Sequence, residues 1–331
     1  ASERTCLIGG GRRLSPWMLP YLYLLAGSAL LYFGAESLVR GSSALARRAG
    51  LSALVVGLTV VAFGTSAPEL AVSVDAAIKG KTDIALGNVV GSNIANIGLI
   101  LGIAALLQRL TIRAQLVRID LIVLIAASIA LPLLLLDGQI SRIEGVLLTS
   151  SLAVYLAYTV VLARRARVLV RAEFDRAVPA QARNVWLETI MIPLGIALLV
   201  AGAELLVHGA VGVAQRFHVS NAIIGLTVVA LGTSLPELAT SVVAALKKEG
   251  DLVVGNVIGS NIFNLLCILG ISATVAPMRP QAIVFGDQAV MIGLALVLLP
   301  LMRSGMRLTR REGLFLLLTY LSYMAYVVIR A

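Results

Sequence analysis

Residues 57–70 read GLTVVAFGTSAPEL, and residues 225–238 read GLTVVALGTSLPEL. The similarity extends without a gap over residues 57–102 and 225–270, where 30 of 46 positions are identical at a constant offset of 168. The chain therefore contains a duplicated unit. Both copies keep a proline, a glutamate and small hydroxyl residues, which are poor choices for a surface that faces lipid. A polar site built from both copies is the simplest explanation.

The composition indicates a membrane protein. Hydrophobic residues make up 59% of the chain and charged residues 13%, and the mean hydropathy is +0.96. A bilayer-spanning helix needs roughly 20 apolar residues, and such segments recur along nearly the whole chain. We predict an all-α polytopic membrane protein with about ten transmembrane helices, near residues 17–38, 51–77, 83–107, 119–136, 145–163, 188–209, 221–246, 251–275, 283–301 and 312–329.

The positive charges predict how these helices are oriented. Sorted by alternate connections between the predicted spans, eighteen of the 27 Lys and Arg residues fall on one side and nine on the other. Because cytoplasmic connections are enriched in Lys and Arg, the first side is predicted to be cytoplasmic and both termini to lie outside. An anionic lipid surface is a sufficient partner for this charge, so neither nucleic acid nor a protein partner is implied.

Ten spans in two copies give five spans per copy, and five is odd. The copies must then enter the membrane from opposite faces, as in secondary transporters that hold their substrate near the bilayer midplane between two inverted repeats. We divide the chain into an N-terminal tail (1–16), a first five-helix repeat (17–163), a cytoplasmic linker (164–187) and a second five-helix repeat (188–331).

Each copy interrupts an apolar segment with a proline that is followed by a glutamate. Pro68 and Pro236 lack an amide hydrogen, so we expect the helices to break beside them and to leave carbonyl groups that need an internal partner. Glu69 and Glu237 come next, and the second, third, seventh and eighth spans contain no Lys or Arg. A charge buried in the bilayer is costly when unpaired. We therefore predict that the two carboxylates bind a cation.

The groups around the glutamates all carry oxygen. Calcium accepts six to eight oxygen ligands in irregular geometry, whereas magnesium keeps much of its water. Two carboxylates also match the charge of one divalent ion, and no His or Cys recurs in both copies, which disfavours zinc and copper. Magnesium and manganese stay open as substrates. The predicted hydroxyl ligands are Thr65, Ser66, Thr233 and Ser234.

A second duplicated motif reads GNVVGSNIAN at 87–96 and GNVIGSNIFN at 255–264. Its polar residues recur at intervals of four and so share one helix face. We expect them to complete the coordination shell or to line the path, although Gly, Ser and Asn also serve helix packing in membranes. They are Asn88, Ser92 and Asn96, and Asn256, Ser260 and Asn264. Glu36 and Glu204, which recur within GAE near span ends, are expected to pair with interfacial arginines.

With these motifs the chain resembles the cation/calcium exchanger superfamily, whose repeats carry G-T-S-x-P-E and G-N-x-x-G-S-N-x-x-N/D, and most of all its prokaryotic sodium/calcium exchanger branch. The resemblance implies calcium between Glu69 and Glu237, assisted by the Thr65 and Thr233 carbonyls. It implies sodium sites that combine the glutamates with Ser66, Ser234, Ser92, Ser260 and the Ala62 and Ala230 carbonyls. It also implies a prokaryotic inner (plasma) membrane and sliding of the first and sixth helices during alternating access.

One position departs from the family pattern. Prokaryotic relatives carry Asp where this chain has Asn264, and potassium-dependent relatives carry Asp at both paired positions, whereas Asn96 and Asn264 are both neutral here. The expected function is a secondary antiporter that exchanges calcium for sodium and needs no cofactor. A proton/calcium or other divalent-cation antiporter is the alternative. A cation channel is less favoured, and no nucleophile or metal triad supports an enzyme.

Overall fold

The computed structural model of the protein describes residues 18–177, 185–217, 230–280 and 285–330, and these residues are mostly helical. The first repeat contains α1 (Leu19–Ala49), α2 (Ala53–Thr65), α3 (Ala67–Ile78), α4 (Thr82–Leu107), α5 (Leu116–Leu134) and α6 (Arg142–Ala177). The second repeat contains α7 (Val185–Arg216), α8 (Ala230–Gly232), α9 (Leu235–Leu246), α10 (Gly250–Val275), α11 (Phe285–Arg303) and α12 (Arg310–Arg330). Two short strands are β1 (Leu110–Thr111) and β2 (Arg307–Leu308).

The described helices confirm an all-α polytopic membrane protein. Eight of them are long and apolar enough to cross a membrane, and α2 with α3 forms a ninth span that bends by 48°. The predicted seventh span, 221–246, is described only from residue 230 onward, where α9 is a shorter apolar helix. The tail predicted at 1–16 lies outside the described residues.

Several helices extend beyond their predicted ends. The first span was predicted to end at residue 38, but α1 continues to Ala49. Gly50 caps the helix with a left-handed φ of 63°. Arg47 and Arg48 lie in its last turn, where cations favour the helix dipole. Likewise α6 continues to Ala177, inside the segment predicted as a linker. The predicted spans end where charged residues begin. Lys, Arg and Glu are nevertheless good helix formers, so the helices continue beyond the apolar segments.

The predicted break occurs at the same point in both repeats. Ser66 separates α2 from α3 with φ −83° and ψ 7°, and Ser234 precedes α9 with φ −87° and ψ 5°. Pro68 and Pro236 occupy the first turn of the helix that follows, where a missing amide hydrogen costs nothing. Each serine therefore lies between two helix segments.

Wide π-helical turns interrupt α4 and α10 at matching positions. They cover Asn96–Leu101 and Asn264–Ile268, so each begins at the last asparagine of the duplicated motif. Such turns are rare in proteins, and many of those that occur lie at functional sites. They were not predicted from the sequence.

The first helices of the two repeats pack against each other in antiparallel directions. A Cβ atom on Gly27 of α1 would lie 2.7 Å from the backbone nitrogen of Leu206 in α7, and one on Gly195 would lie 2.7 Å from that of Leu38. The start of α1 thus meets the end of α7, and the reverse. Because α1 and α7 correspond at the offset of 168, the symmetry that relates the repeats reverses the helix direction, as expected for inverted repeats.

Connections predicted to lie on the same side of the membrane meet at the same end of the molecule. At one end, here named the basic end (residues 40–50, 108–118, 247–251 and 303–309), β1 pairs antiparallel with β2 and Arg113 contacts Asp251 at 2.5 Å. At the other, here named the opposite end (residues 79–81, 137–142 and 276–280), Ile140 bridges Met278. The core between them holds the site.

Candidate cation-binding site

The two glutamates lie in the first turns of α3 and α9, directly after the helix breaks. Both are buried, with Glu69 2% and Glu237 1% exposed. The N-terminus of a helix carries a partial positive charge that favours a carboxylate. The breaks therefore place two acidic side chains inside the protein at equivalent points of the two repeats.

Each glutamate is held by a serine of the other repeat. Ser66 Oγ donates to Glu237 Oε1 at 2.9 Å, and Ser234 Oγ donates to Glu69 Oε1 at 3.2 Å. The two bonds are symmetry equivalents, since both residue pairs differ by the offset of 168. The structure thus brings the four residues predicted at the centre of the site together between the repeats.

The second oxygen of each carboxylate has no partner. Glu69 Oε2 and Glu237 Oε2 are buried and accept no hydrogen bond, and neither glutamate forms an ion pair with a described residue. Removing a carboxylate from water is costly unless a positive charge or a donor compensates. A bound cation would supply that compensation to both oxygens.

Polar side chains of α4 and α10 surround the glutamates. Ser92 Oγ lies 3.3 Å from Ser234 Oγ, and because Ser234 gives its one hydroxyl hydrogen to Glu69, Ser92 is the donor in this contact. The buried Ser260 hydroxyl has no partner. Thr65 Oγ1 donates to Asn256 Oδ1 at 3.2 Å, and Thr233 Oγ1 donates to Asn88 Oδ1 at 3.3 Å. Here too the contacts cross between the repeats.

Asn96 and Asn264, the last asparagines of the duplicated motif, use their amide nitrogens but not their amide oxygens in hydrogen bonds. Asn96 Nδ2 donates to Asn261 Oδ1 at 3.5 Å, and Asn264 Nδ2 donates to Asn93 Oδ1 at 3.3 Å. The oxygens Asn96 Oδ1 and Asn264 Oδ1 are buried without a partner. Asn93 and Asn261 were not predicted as site residues, although their recurrence at the offset of 168 is the signal that could have indicated these contacts.

The predicted carbonyl ligands lie beside the breaks. Ala62 O accepts the Ser66 amide hydrogen at 3.0 Å, so this carbonyl already ends a helical turn. Ala230 is the first residue of α8. Pro68 offers no amide hydrogen to the Gly64 carbonyl four residues earlier. The Gly64 carbonyl therefore lacks its usual helical donor at the break.

This set of donors suits a hard cation. The groups are carboxylate, hydroxyl and amide oxygens, and among the described residues no cluster of three or more His, Cys, Asp or Glu side chains occurs. Oxygen-only sites favour calcium and similar ions, whereas zinc and copper favour nitrogen and sulfur ligands.

A cavity of about 380 Å³ reaches the site from the side of α12. It contacts Asn88 and Ser92 of α4 and Thr233 at the second break. Its wall includes Val72 and Ile84, which are 40% and 53% exposed and lie near the connection at the opposite end. The cavity therefore borders polar residues of both repeats.

Comparisons with known proteins agree with this geometry. The sequence pattern described as "Sodium/calcium exchanger protein" matches residues 19–161 and 187–329. The putative antiporter CaxA of Alkalimonas amylolytica is 40% identical over 91% of this chain and 96% of its own length. The sodium/calcium exchanger MaX1 of Methanosarcina acetivorans is 32% identical over 92% and 97%.

A solved structure has the same fold. The sodium-calcium exchanger NCX_Mj, soaked with 10 mM Na⁺ and 10 mM Sr²⁺, superposes with a TM-score of 0.80 at 32% identity, covering 93% of this chain and 98% of that chain. The family pattern, the full-length relatives and the shared fold lead to one conclusion: the chain belongs to the sodium/calcium exchanger protein family.

Proposed function

We propose that the protein is a secondary antiporter that exchanges calcium for sodium by alternating access at the site between the repeats. The observation that carries this proposal is the pair of crosswise serine–glutamate bonds, which leave Glu69 Oε2 and Glu237 Oε2 buried and without a partner. Family membership and the names of MaX1 and NCX_Mj support the same ions.

Competition for the two carboxylates explains exchange. One calcium ion balances both charges, and sodium ions balance them one at a time, so the two loaded forms exclude each other. The empty site carries two uncompensated charges, which are costly to enclose in a dry protein interior. Only loaded forms then change their accessibility, and movement of one ion is coupled to return of the other.

The individual ligands are proposed from the family resemblance of the two motifs and from the side-chain contacts around the glutamates. We assign calcium to Glu69 and Glu237 with the Thr65 and Thr233 carbonyls. We assign sodium to the same glutamates with Ser66, Ser234, Ser92, Ser260 and the Ala62 and Ala230 carbonyls. Asn96 and Asn264 contribute neutral oxygens, so all charge at the site comes from the glutamates. A proton/calcium antiporter is the second candidate, because buried glutamates can also carry protons.

The protein is an integral membrane protein. We propose that it lies in a prokaryotic plasma membrane with the basic end in the cytoplasm and both termini outside, because Lys and Arg are concentrated in the connections of the basic end. Lipid covers the exposed apolar side chains of the outer helices, which include Ile143, Val154, Leu318 and Ile329.

Calcium uptake into proteoliposomes tests this function. Vesicles loaded with sodium and diluted into sodium-free buffer should accumulate radioactive calcium, whereas vesicles with only a pH gradient should not. Glu69→Gln and Glu237→Gln should each abolish uptake while Asp137→Asn, at an exposed loop carboxylate, leaves it unchanged. Uptake driven only by the pH gradient would favour the proton-coupled alternative, and flux independent of any counter-ion would indicate a channel.

A further inference from the structure

One ion pair between the repeats ties α1 to α9 at the basic end. Glu36 Oε1 lies 2.7 Å from Lys247 Nζ and 2.5 Å from Arg40 Nη2. The side chains of Glu36 and Lys247 are only 18% and 28% exposed. Because α1 packs along α9, this pair fixes a helix of the first repeat to the segment that carries Glu237.

The symmetry-related residues exist but are separated. The offset of 168 relates Glu36 to Glu204 and Lys247 to Lys79. Glu204 is exposed and has no ion-pair partner among the described residues, so its predicted arginine partner is not found. Lys79 Nζ instead contacts Asp75 Oδ2 at 2.7 Å on its own helix. Accordingly, α7 makes no packing with α3 comparable to that of α1 with α9.

We propose that Glu36–Lys247 and Glu204–Lys79 are alternating ion pairs that close the two ends of the ion path in turn. The proposal rests on the alternating-access function above. The two inverted repeats have different conformations in this structure. If each repeat adopts the conformation that the other has now, the contacts seen at one end of the molecule form at the other end instead. As α1 leaves α9 at the basic end, α7 closes on α3 and Glu204 reaches Lys79.

The packing of the helices agrees with this assignment. At the basic end, where Glu36 and Lys247 are in contact, α1 packs on α9. At the opposite end, α7 has no comparable packing on α3 among the described residues, and Lys79 contacts Asp75 instead of Glu204. The structure thus combines a formed pair at the end where the helices pack with a separated pair at the other end.

The two pairs have opposite surroundings. Asp75 corresponds to Val243, and Arg40 corresponds to His208. The basic end therefore sets two cations against Glu36, whereas closure of the opposite end sets Lys79 against two carboxylates, Asp75 and Glu204. Arg40 and Asp75 each contact the pair member of their own helix, so that member keeps a partner when the two repeats separate.

Cross-linking tests the proposal without a flux measurement. In a chain with Cys6→Ser and Cys267→Ala, the substitutions Glu204→Cys and Lys79→Cys place one thiol on each member of the second pair. A short bis-maleimide is added to the protein in lipid nanodiscs, and mass spectrometry measures intramolecular linkage. Slow linkage is expected, because this pair is separated in the structure and linkage requires the other conformation.

Substitutions at the first pair should change that rate. Glu36→Lys replaces attraction to Lys247 by repulsion and should accelerate linkage between positions 204 and 79 by about fivefold or more. Adding Lys247→Glu restores an ion pair in reversed order and should return the slow rate. If Glu36→Lys does not fold, Glu36→Gln should accelerate linkage in the same direction by about twofold.

Two results would overturn the proposal: no linkage in any variant, or a linkage rate that does not respond to position 36. Failure of calcium/sodium exchange would leave the cross-linking result unaffected, since no ion flux is measured. Conversely, exchange without linkage would reject the alternating ion pairs and keep the proposed function.

Discussion

Ser66 of the first repeat and Glu237 of the second are joined by a buried hydrogen bond of 2.9 Å between Oγ and Oε1. The serine lies at a helix break, and the glutamate lies in the first turn after the other break. Each carboxylate is thus positioned by both repeats. A displacement of one repeat relative to the other must change the geometry of both glutamates together, which links ion occupancy to conformation.

Loss of this hydroxyl should weaken ion binding. Ser66→Ala removes the donor to Glu237 Oε1, and hydrogen bonds to charged groups contribute about 1.5–3 kcal/mol. We expect the calcium concentration for half-maximal sodium-dependent uptake to rise by about tenfold or more. Concentration series in proteoliposomes measure this effect.

The matched control is Ser151→Ala, which removes an exposed hydroxyl that bonds only to the Leu147 carbonyl of its own helix. Ser234→Ala should act like Ser66→Ala with a smaller effect, because its bond to Glu69 is longer at 3.2 Å. An unchanged half-saturation in both site variants would remove the serines from the ligand set.

An acid at position 264 should increase the charge of the site. Asn264 is 1% exposed and its Oδ1 has no partner, so Asn264→Asp adds a third buried carboxylate beside the glutamates. We expect tighter calcium binding, by roughly tenfold, and a steeper dependence of transport on pH, because the new group can take up a proton. Calcium titrations at several pH values measure both changes.

Asn96→Asp is the symmetry-related comparison, and it should act in the same direction. If neither substitution changes affinity or pH dependence, the two amide oxygens are peripheral to the bound ion.

A buried carboxylate away from the site depends on one tyrosine. Tyr155 of α6 donates its hydroxyl hydrogen to Asp120 Oδ1 at 2.8 Å, and Asp120 is fully buried. Tyr155→Phe leaves that oxygen without a donor and should lower stability by about 1–3 kcal/mol. Thermal unfolding in detergent should show a lower midpoint temperature.

Tyr323→Phe is the corresponding substitution in the second repeat and should cost less, because Asp287 keeps its contact with Arg330 at 3.1 Å. Adding Asp120→Asn to Tyr155→Phe should recover part of the loss, since it removes the buried charge. Equal midpoints for both tyrosine variants would contradict this account.

Much of the fold and of the candidate site could be predicted, because the duplication marks the residues that both repeats need. Pro68, Glu69 and their counterparts stand out as polar or helix-breaking groups inside apolar segments. The odd number of spans per copy then predicts inversion, which the antiparallel packing of α1 and α7 confirms. The division of the chain into tail, repeats and linker stays a prediction.

Contacts between the repeats could not be predicted. Helical spacing tells which face a residue occupies but not which residue of another helix it meets. The sequence therefore did not reveal that Ser66 serves Glu237 rather than its neighbour Glu69, or that Lys247 meets Glu36. The pairing of β1 with β2 also escaped prediction, since two-residue strands leave no periodic pattern.

Close helix packing at Gly145 gives the last prediction. A Cβ atom on Gly145 of α6 would lie 2.6 Å from the carbonyl oxygen of Gly270 and 2.6 Å from the backbone nitrogen of Thr274, both in α10. Backbone atoms cannot turn aside as a side chain can, so Gly145→Ala must push α6 from α10. We expect the free energy of unfolding to fall by about 1–3 kcal/mol, with a lower midpoint of thermal unfolding.

Gly293→Ala in α11 is the matched control, because a Cβ there meets no described atom within 4 Å. In a helix interior alanine is favoured over glycine by up to about 1 kcal/mol, so this control should raise the midpoint. Since both substitutions add one methyl group to a helical glycine, opposite shifts can arise only from the packing of α6 on α10, and equal shifts would contradict the close approach of these helices.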